Sequence, residues 1–324
     1  MTVRIGGIVT PVTAVTARAP AKVNLQLAVG PPRANGYHDL VTVFHAVSLF
    51  DEVTVAPADR DSVEVTGEGA DSVPADGTNL AARAADALDR AVGPGVKDSP
   101  GLAIRISKRI PAAAGLAGGS ADAAAALVAC NELWQTGLSQ AELCELAAGI
   151  GSDVAFGLVG GTAVGVGRGE RVTPALAVGT YHWVLAFAAA GLSTAQVYAA
   201  FDRLRERGGQ PRQGEPAGPD NRLMAALRSG KPAEVAPLLT NDLQPAAISL
   251  RPELRRTLAA GAEHGALAGI VSGSGPTCAY LAKDSRHAAA LAVALAGAGV
   301  CRTVAHVVGP APGASVIGIA TEPT

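Results

Sequence analysis

Aromatic residues are scarce, at 3% of 324 positions. The core must therefore be built from Ala, Val and Leu. Each of these gains less on burial, at ~25 cal/mol per Å² of apolar area, so close backbone packing is needed, and 39 glycines permit it. Cysteine is scarce too. Cys130, Cys144, Cys278 and Cys301 form no C-x-x-C pair and have no histidine at ligand spacing. That pattern argues against a disulfide framework or a zinc site and fits free thiols in a reducing cytoplasm. No apolar run reaches the ~18 residues that span a bilayer, so no membrane contact is expected. Neither sign of charge dominates: 26 basic and 28 acidic residues give a net charge of -2. They form no like-charge block and no basic stripe, so no nucleic-acid partner is expected.

The length exceeds one ordinary core and suits two domains sharing a cleft. Residues 1–14, broken by Thr10, Pro11 and Thr13, are expected to be a loose tail. Residues 15–178 and 179–324 are expected to be the two domains. Pro20 predicts a strand that begins properly only after Lys22. Residues 42–48 and 52–56 read as two strands, 79–92 as an amphipathic helix, and 101–107 as a strand. Residues 120–134 read as a helix. Ser139-Gln140-Ala141-Glu142 then fits a capping box that starts another. A polar, Pro/Gly-rich loop covers 208–220. Two helical stretches follow, around 232–244 and 252–264. A strand–turn–strand covers 267–281, a helix 286–297, and a last strand 301–308. Strands and helices mix without strict alternation, which predicts an α+β fold.

The most informative segment is PAAAGLAGGSADAAAAL, residues 111–127. Gly115, Gly118 and Gly119 leave backbone N–H groups uncovered and permit positive φ. Ser120 can cap the helix that follows. N–H groups at a helix N-terminus, with the macrodipole behind them, form an anion site suited to a di- or triphosphate. A Walker loop is excluded because no Lys precedes Ser120, and the G-x-x-G-G spacing is not that of a dinucleotide fingerprint. Asp122 complements the helix dipole, or less readily meets magnesium. The bland reading is a tight strand-to-helix turn in an alanine-rich chain.

Three ordered segments carry a resemblance. The loop at 111–121 resembles the second motif of the GHMP kinases. APAKVNLQL (19–27) resembles their first motif and GIVSGSGPTCAYL (269–281) their third. Within that family, NGYHDLVTVFHAVSLFDEV (35–53), GSDVAFGLVGGTAVGVGRGE (151–170) and NDLQPAA (241–247) resemble one branch. Its members phosphorylate the 2-hydroxyl of a cytidine-diphosphate-linked methylerythritol, on the non-mevalonate route to isoprenoid precursors. The resemblance implies a two-domain α+β GHMP fold. Its N-terminal domain binds nucleotide, and its C-terminal domain is a ferredoxin-like α/β sandwich. Departures occur at Ala155, Gly157 and Ala117, where members commonly carry Pro, an aromatic and Gly.

The resemblance also implies roles. Asp153 matches the catalytic aspartate that accepts the hydroxyl proton, and Lys22 the catalytic lysine. Without it, Asp153 reads as a helix cap and Lys22 as a strand-edge lysine. Asn24, two residues on, shares a strand face with Lys22. It either meets substrate or ends a turn. ATP would be held by Pro111, Ala112, Ala113, Ala114, Gly115, Leu116, Ala117, Gly118, Gly119, Ser120 and Ala121. Asn79 would lie near adenine or simply cap a helix. Tyr37 and His38 resemble a cytosine-recognition pair, in which ring stacking is worth ~1–3 kcal/mol. Tyr198 is either the second face of a sandwich or a core tyrosine. Thr194 is expected at the substrate diphosphate, and residues 272–275 either close over it or form a hairpin turn. ATP and Mg2+ are implied, with no dedicated metal cage beyond the Ser120 hydroxyl. The substrate is a small molecule carrying a cytidine diphosphate group. The protein is expected to be cytoplasmic, and a monomer or weak homodimer. Another alcohol acceptor, such as homoserine or mevalonate, and a catalytically silent nucleotide-binding protein stay open as alternatives.

Overall fold

Period-two alternation governs the longest element of the structure, a computed structural model that describes residues 2–5, 8–34, 36–94, 99–208 and 216–321. Strand β1 (Thr2–Ile5) pairs antiparallel with β2 (Ile8–Pro32). Along β2, Val15, Ala17, Ala19, Ala21, Val23, Leu25 and Leu27 all face the core, as alternate residues of a strand must. The opposite face carries Lys22, Asn24 and Gln26, which are polar and yet buried. The odd-numbered stripe builds the core, and from the other Lys22 and Asn24 face the covered cleft.

Two expectations fail here. Residues 1–14 are not a loose tail: β1 lies on β2, and Val12 and Ala14 sit opposite Thr321 and Ala320 near the chain's end. The V-T-A-V-T run from Val12 is β-branched and alternating, which favours strand. Nor does Pro20 interrupt the strand. It is absorbed as a register shift against the next strand between Pro20 and Ala21, followed by a second shift between Asn24 and Gln26. Such bulges re-aim side chains, and these two bracket Lys22.

β3 (His38–Ala58) replaces two expected strands. β4 (Ser62–Gly67), α1 (Leu80–Val92) and β5 (Gly101–Lys108) follow. α2 (Gly118–Leu133) is buried on nearly every side. A helix apolar all round must be enclosed, and its alanines let α1 and β2 pack close. The capping box at Ser139 and Glu142 starts α3 (Gln140–Ile150). α4 (Val154–Val159), β6 (Thr162–Gly167) and β7 (Arg171–Pro174) complete the first unit.

The second unit begins with β8 (Tyr181–Phe187), α5 (Thr194–Arg207), α6 (Asn221–Ser229) and α7 (Pro232–Val235). It continues with β9 (Thr240–Asn241), α8 (Gln244–Leu250), α9 (Glu253–Glu263), β10 (Ala268–Val271) and β11 (Cys278–Ala282). α10 (Ser285–Gly297), β12 (Thr303–Gly309) and β13 (Ser315–Thr321) end the chain. The expected loop at 208–220 falls mostly outside the described residues.

The larger sheet has the order β1-β2-β3-β5-β4, with β6 on β3, β7 on β6, and β9 and β13 on β2. The smaller sheet has the order β10-β11-β8-β12 and is wholly antiparallel. Strand–helix–strand–strand–helix–strand in that order is the ferredoxin-like arrangement. The last strand returns to the larger sheet, so the second unit does not keep residues 315–321, against the expected 179–324 division. Among the described residues no helix is long and apolar enough to cross a membrane.

Candidate active site

The loop between β5 and α2 is tied down by its carbonyls. Those of Ala113, Ala114, Gly115 and Leu116 accept from Leu192 N, Thr277 N, Ser272 Oγ and Lys22 N. Among the described residues, no N–H from Ala112 to Ser120 finds an acceptor. The first turn of α2 is thus left with the unbonded donors every helix start carries, and no side chain caps it. Ser120 is not the cap the sequence suggested. The helix begins two residues earlier, at Gly118, because Gly118 and Gly119 are already helical. The positive-φ residues are Gly115 together with Ala113 and Ala117, at 51° and 61°, and neither Gly118 nor Gly119.

These donors line a cavity of about 730 Å³. Ala113, Ala114, Gly115, Ala117, Gly118, Gly119 and Ser120 all face it. The other predicted nucleotide contacts do not. Pro111 and Ala112 line a separate depression with Glu68 and Arg302, and Leu116 and Ala121 are buried in the core. Asn79 commits both ends of its amide: Oδ1 accepts from Ala81 N at 2.9 Å, capping α1, and Nδ2 donates to Pro74 O at 2.6 Å. Of its two expected roles the structure places the cap.

Lys22 and Asp153 meet in the same cavity, with Nζ 3.8 Å from Oδ2. Lys22 Nζ donates to Asn24 Oδ1 at 2.7 Å, Asn24 Nδ2 to Thr42 Oγ1 at 2.8 Å, and Thr42 Oγ1 to Gln26 O at 2.7 Å. This chain orients the ammonium from below. Burial draws the Lys22 pKa down from its ordinary value, and the Asp153 charge pulls it back up. Asp153 stands at the N-cap of α4 without making a capping bond, so its carboxylate is available to the cavity.

Tyr37, His38, Thr194 and Tyr198 line the cavity as well. The Tyr198 ring lies 5.0 Å from that of His38, while the Arg168 guanidinium sits over Tyr37 at 5.3 Å. Burial pushes the Tyr198 hydroxyl pKa well up, and the Asp153 charge adds to this, so it remains a donor at neutral pH. Thr194 Oγ1 is 3.0 Å from Ser274 Oγ, which joins the 272–275 turn to α5 across the cavity.

Two family models match the chain: GHMP kinases N terminal domain over residues 79–163, and GHMP kinases C terminal over residues 223–301. A 4-diphosphocytidyl-2-C-methyl-D-erythritol kinase of Nocardia farcinica is 59% identical over 303 residues, covering 94% of this chain and 96% of that one. The chain belongs to the 4-diphosphocytidyl-2-C-methyl-D-erythritol kinase family. The member from Mycobacterium tuberculosis (strain ATCC 25618 / H37Rv) is 56% identical over 312 residues, covering 96% of each chain. The crystal structure of a 4-(cytidine 5'-diphospho)-2C-methyl-D-erythritol kinase matches with a TM-score of 0.71 at 34% identity, covering 90% of this chain and 98% of that one.

The structure gives the departures of this kinase from its family pattern a physical setting. At Gly157 a Cβ would lie 2.8 Å from the Ala124 Cβ, so α4 and α2 touch where an aromatic side chain could not fit. Asp122 does not face the phosphate-sized space, against both of its expected roles. It is buried and accepts from Lys108 Nζ at 2.7 Å, while the same ammonium bonds Asp51. Asp51 Oδ1 also accepts the N–H groups of Arg109 and Ile110, at 2.6 and 2.8 Å. Burial pushes the Asp122 pKa up to about 7 against the opposing pull of Lys108. This cluster anchors both ends of the loop.

Two charged residues that line the cavity, Arg168 and Asp202, escaped the sequence reading. Asp202 lies four residues after Tyr198, a helical spacing that would have flagged it had α5 been recognised. Arg168 sits in a turn between two strands, where an arginine gives no signal.

Proposed function

We propose that this protein transfers the γ-phosphoryl group of ATP to the 2-hydroxyl of 4-diphosphocytidyl-2-C-methyl-D-erythritol, giving the 2-phosphate and ADP. One observation carries the reading. Unengaged loop N–H groups and the Lys22–Asp153 pair open into one cavity, which Tyr37, His38 and Tyr198 also line.

Phosphoryl transfer asks a protein for positioning and charge neutralisation. The N–H groups of Gly118, Gly119 and Ser120 bind phosphate oxygens, with the positive end of the α2 dipole behind them. Asp153 accepts the proton of the 2-hydroxyl as that oxygen attacks in line. Lys22, held by Asn24, offsets charge at the acceptor oxygen and the incoming phosphoryl group. Tyr37 offers a face for cytosine to stack on, and His38 a ring nitrogen for its edge. Thr194 and Ser274 donate hydroxyls to the substrate diphosphate.

Magnesium bound with ATP would neutralise part of the phosphate charge. The Ser120 hydroxyl is a hard oxygen donor facing the cavity and suits that ion. Among the described residues no group of three His, Cys, Asp or Glu side chains is placed to hold a metal ion.

The test is turnover of purified protein with ATP, magnesium and the named substrate, alongside homoserine and mevalonate. The proposal expects ADP release with the cytidine substrate alone and competition by CDP. Equal turnover of homoserine or mevalonate, or indifference to CDP, would contradict it.

A further inference from the structure

The cavity contains a carboxylate that the proposed reaction does not use. Asp202 Oδ1 lies 2.9 Å from His38 Nε2. His38 opens β3 and its side chain is almost wholly buried, whereas that of Asp202 is 31% exposed. The imidazole is held by one helix: Tyr198 packs against it at 5.0 Å, Phe201 meets it edge-on at 6.2 Å, and Asp202 bonds its nitrogen. Positions 198, 201 and 202 are spaced to share one face of α5. Three side chains of one rigid element thus fix the plane, the tilt and the rotation of the ring.

We propose that Asp202 is a specificity-determining positioning residue. It fixes the proton of His38 on Nε2 and so presents a bare Nδ1 lone pair to the amino edge of cytosine, selecting cytosine over uracil. This inference rests on the cytidine reading above and deepens it.

The chemistry follows from the hydrogen-bond inventory. An ionised carboxylate only accepts, so Nε2 must carry the hydrogen, and in a neutral imidazole Nδ1 is then an acceptor. Among the described residues Nδ1 has no partner. The edge of cytosine presents its exocyclic amino group as a donor, where uracil carries a carbonyl. A lone pair aimed at that position matches the first and opposes the second. Sites built to bond a polar group reject an analogue that leaves their own polar atoms unmatched. Without Asp202 the ring is free to turn and to move its hydrogen to Nδ1, where it would serve a carbonyl equally well.

The experiment compares wild type, Asp202→Ala and Asp202→Asn in three readouts: KM for the cytidine substrate and for ATP, inhibition by CDP against UDP, and the 15N spectrum of labelled histidine. His38 is assigned there by a His38→Asn variant. Asp202→Ala is expected to raise the substrate KM about tenfold, or ~1.4 kcal/mol, with the ATP KM unmoved. Its CDP-over-UDP preference should fall towards one. Asp202→Asn keeps an acceptor oxygen and should retain most of that preference. The wild-type His38 signals should be those of the Nε2–H tautomer. A preference for CDP that survives in Asp202→Ala, or a wild-type His38 bearing its hydrogen on Nδ1, overturns the assignment of Asp202 alone. A wild type inhibited by neither nucleotide overturns the cytidine reading and this inference with it.

Discussion

The Asp153 carboxylate lies 3.8 Å from the Lys22 ammonium, and Asp153 reaches it from a helix N-cap whose N–H groups it leaves unbonded. Capping by aspartate is ordinarily worth ~1 kcal/mol. The geometry forgoes that gain and instead points a carboxylate at a buried cation. Lys22 in turn sits where burial disfavours its charge, supported by Asp153, the Asn24 amide oxygen and the face of Phe44, 6.0 Å away.

Asp153→Asn should lower kcat by ~10²–10⁴, the usual worth of a general base. ATP affinity should stay unchanged, because the loop amides are untouched. Steady-state kinetics with a nucleotide titration checks both. Lys22→Met should lower kcat at least as far.

Gly273 adopts φ 55°, and a Cβ there would lie 2.7 Å from Lys22 Nζ and 3.0 Å from Gly115 O. Gly273→Ala should therefore displace the ammonium or the phosphate-binding loop. Misplacement of ~1 Å near the reacting groups costs about 10²-fold. Kinetics should show that loss of kcat with only a modest fall in melting temperature.

Much of this site was legible because it obeys local rules. Lys22 and Asn24 share a strand face by period two, and the glycine loop preceding an alanine helix announces an anion site. The Ser139–Glu142 capping box is formed as expected. What stayed hidden depends on distant partners. The pairing of β13 with β2 joins residues about 300 positions apart. Asp122 looked like a dipole or metal residue until Lys108 and Asp51 were seen to enclose it. Asn79 carried two readings, and its bonds to Ala81 and Pro74 form the cap. The left-handed backbone at Ala113 and Ala117 has no signature in those residue types, since glycine is what such positions favour.

Ala117 offers a stability test. A non-glycine residue in the left-handed region carries strain of roughly 1–2 kcal/mol, and Ala117 sits at φ 61°. Ala117→Gly removes that strain but loosens the unfolded chain by ~0.4–1 kcal/mol. The net result should be a gain of between about 0 and 1.6 kcal/mol in denaturant unfolding. Ala117→Val should be clearly destabilising.

His45 makes the fold acid-sensitive. Its ring is buried, with Nδ1 on Thr162 Oγ1, and burial pulls its pKa down to about 3. The folded pKa is below the unfolded value of 6.5, so the unfolded chain binds more protons between them. The contribution is present above pH 6.5 and is lost as pH falls towards 3. From pH 6.5 to 5 the loss should be about 1.6 kcal/mol. Urea midpoints across that range should fall in wild type and flatten in His45→Gln.

The central claim is that loop amides and the Lys22–Asp153 pair act on one alcohol in one cavity. Phosphorus NMR of a reaction holding ATP, magnesium and 4-diphosphocytidyl-2-C-methyl-D-erythritol tests it most directly. The account predicts a new phosphomonoester signal at the 2-position, equal in amount to the ADP formed and nearly absent with Asp153→Asn. ADP without that signal, or the same signal at the same rate from Asp153→Asn, would contradict it.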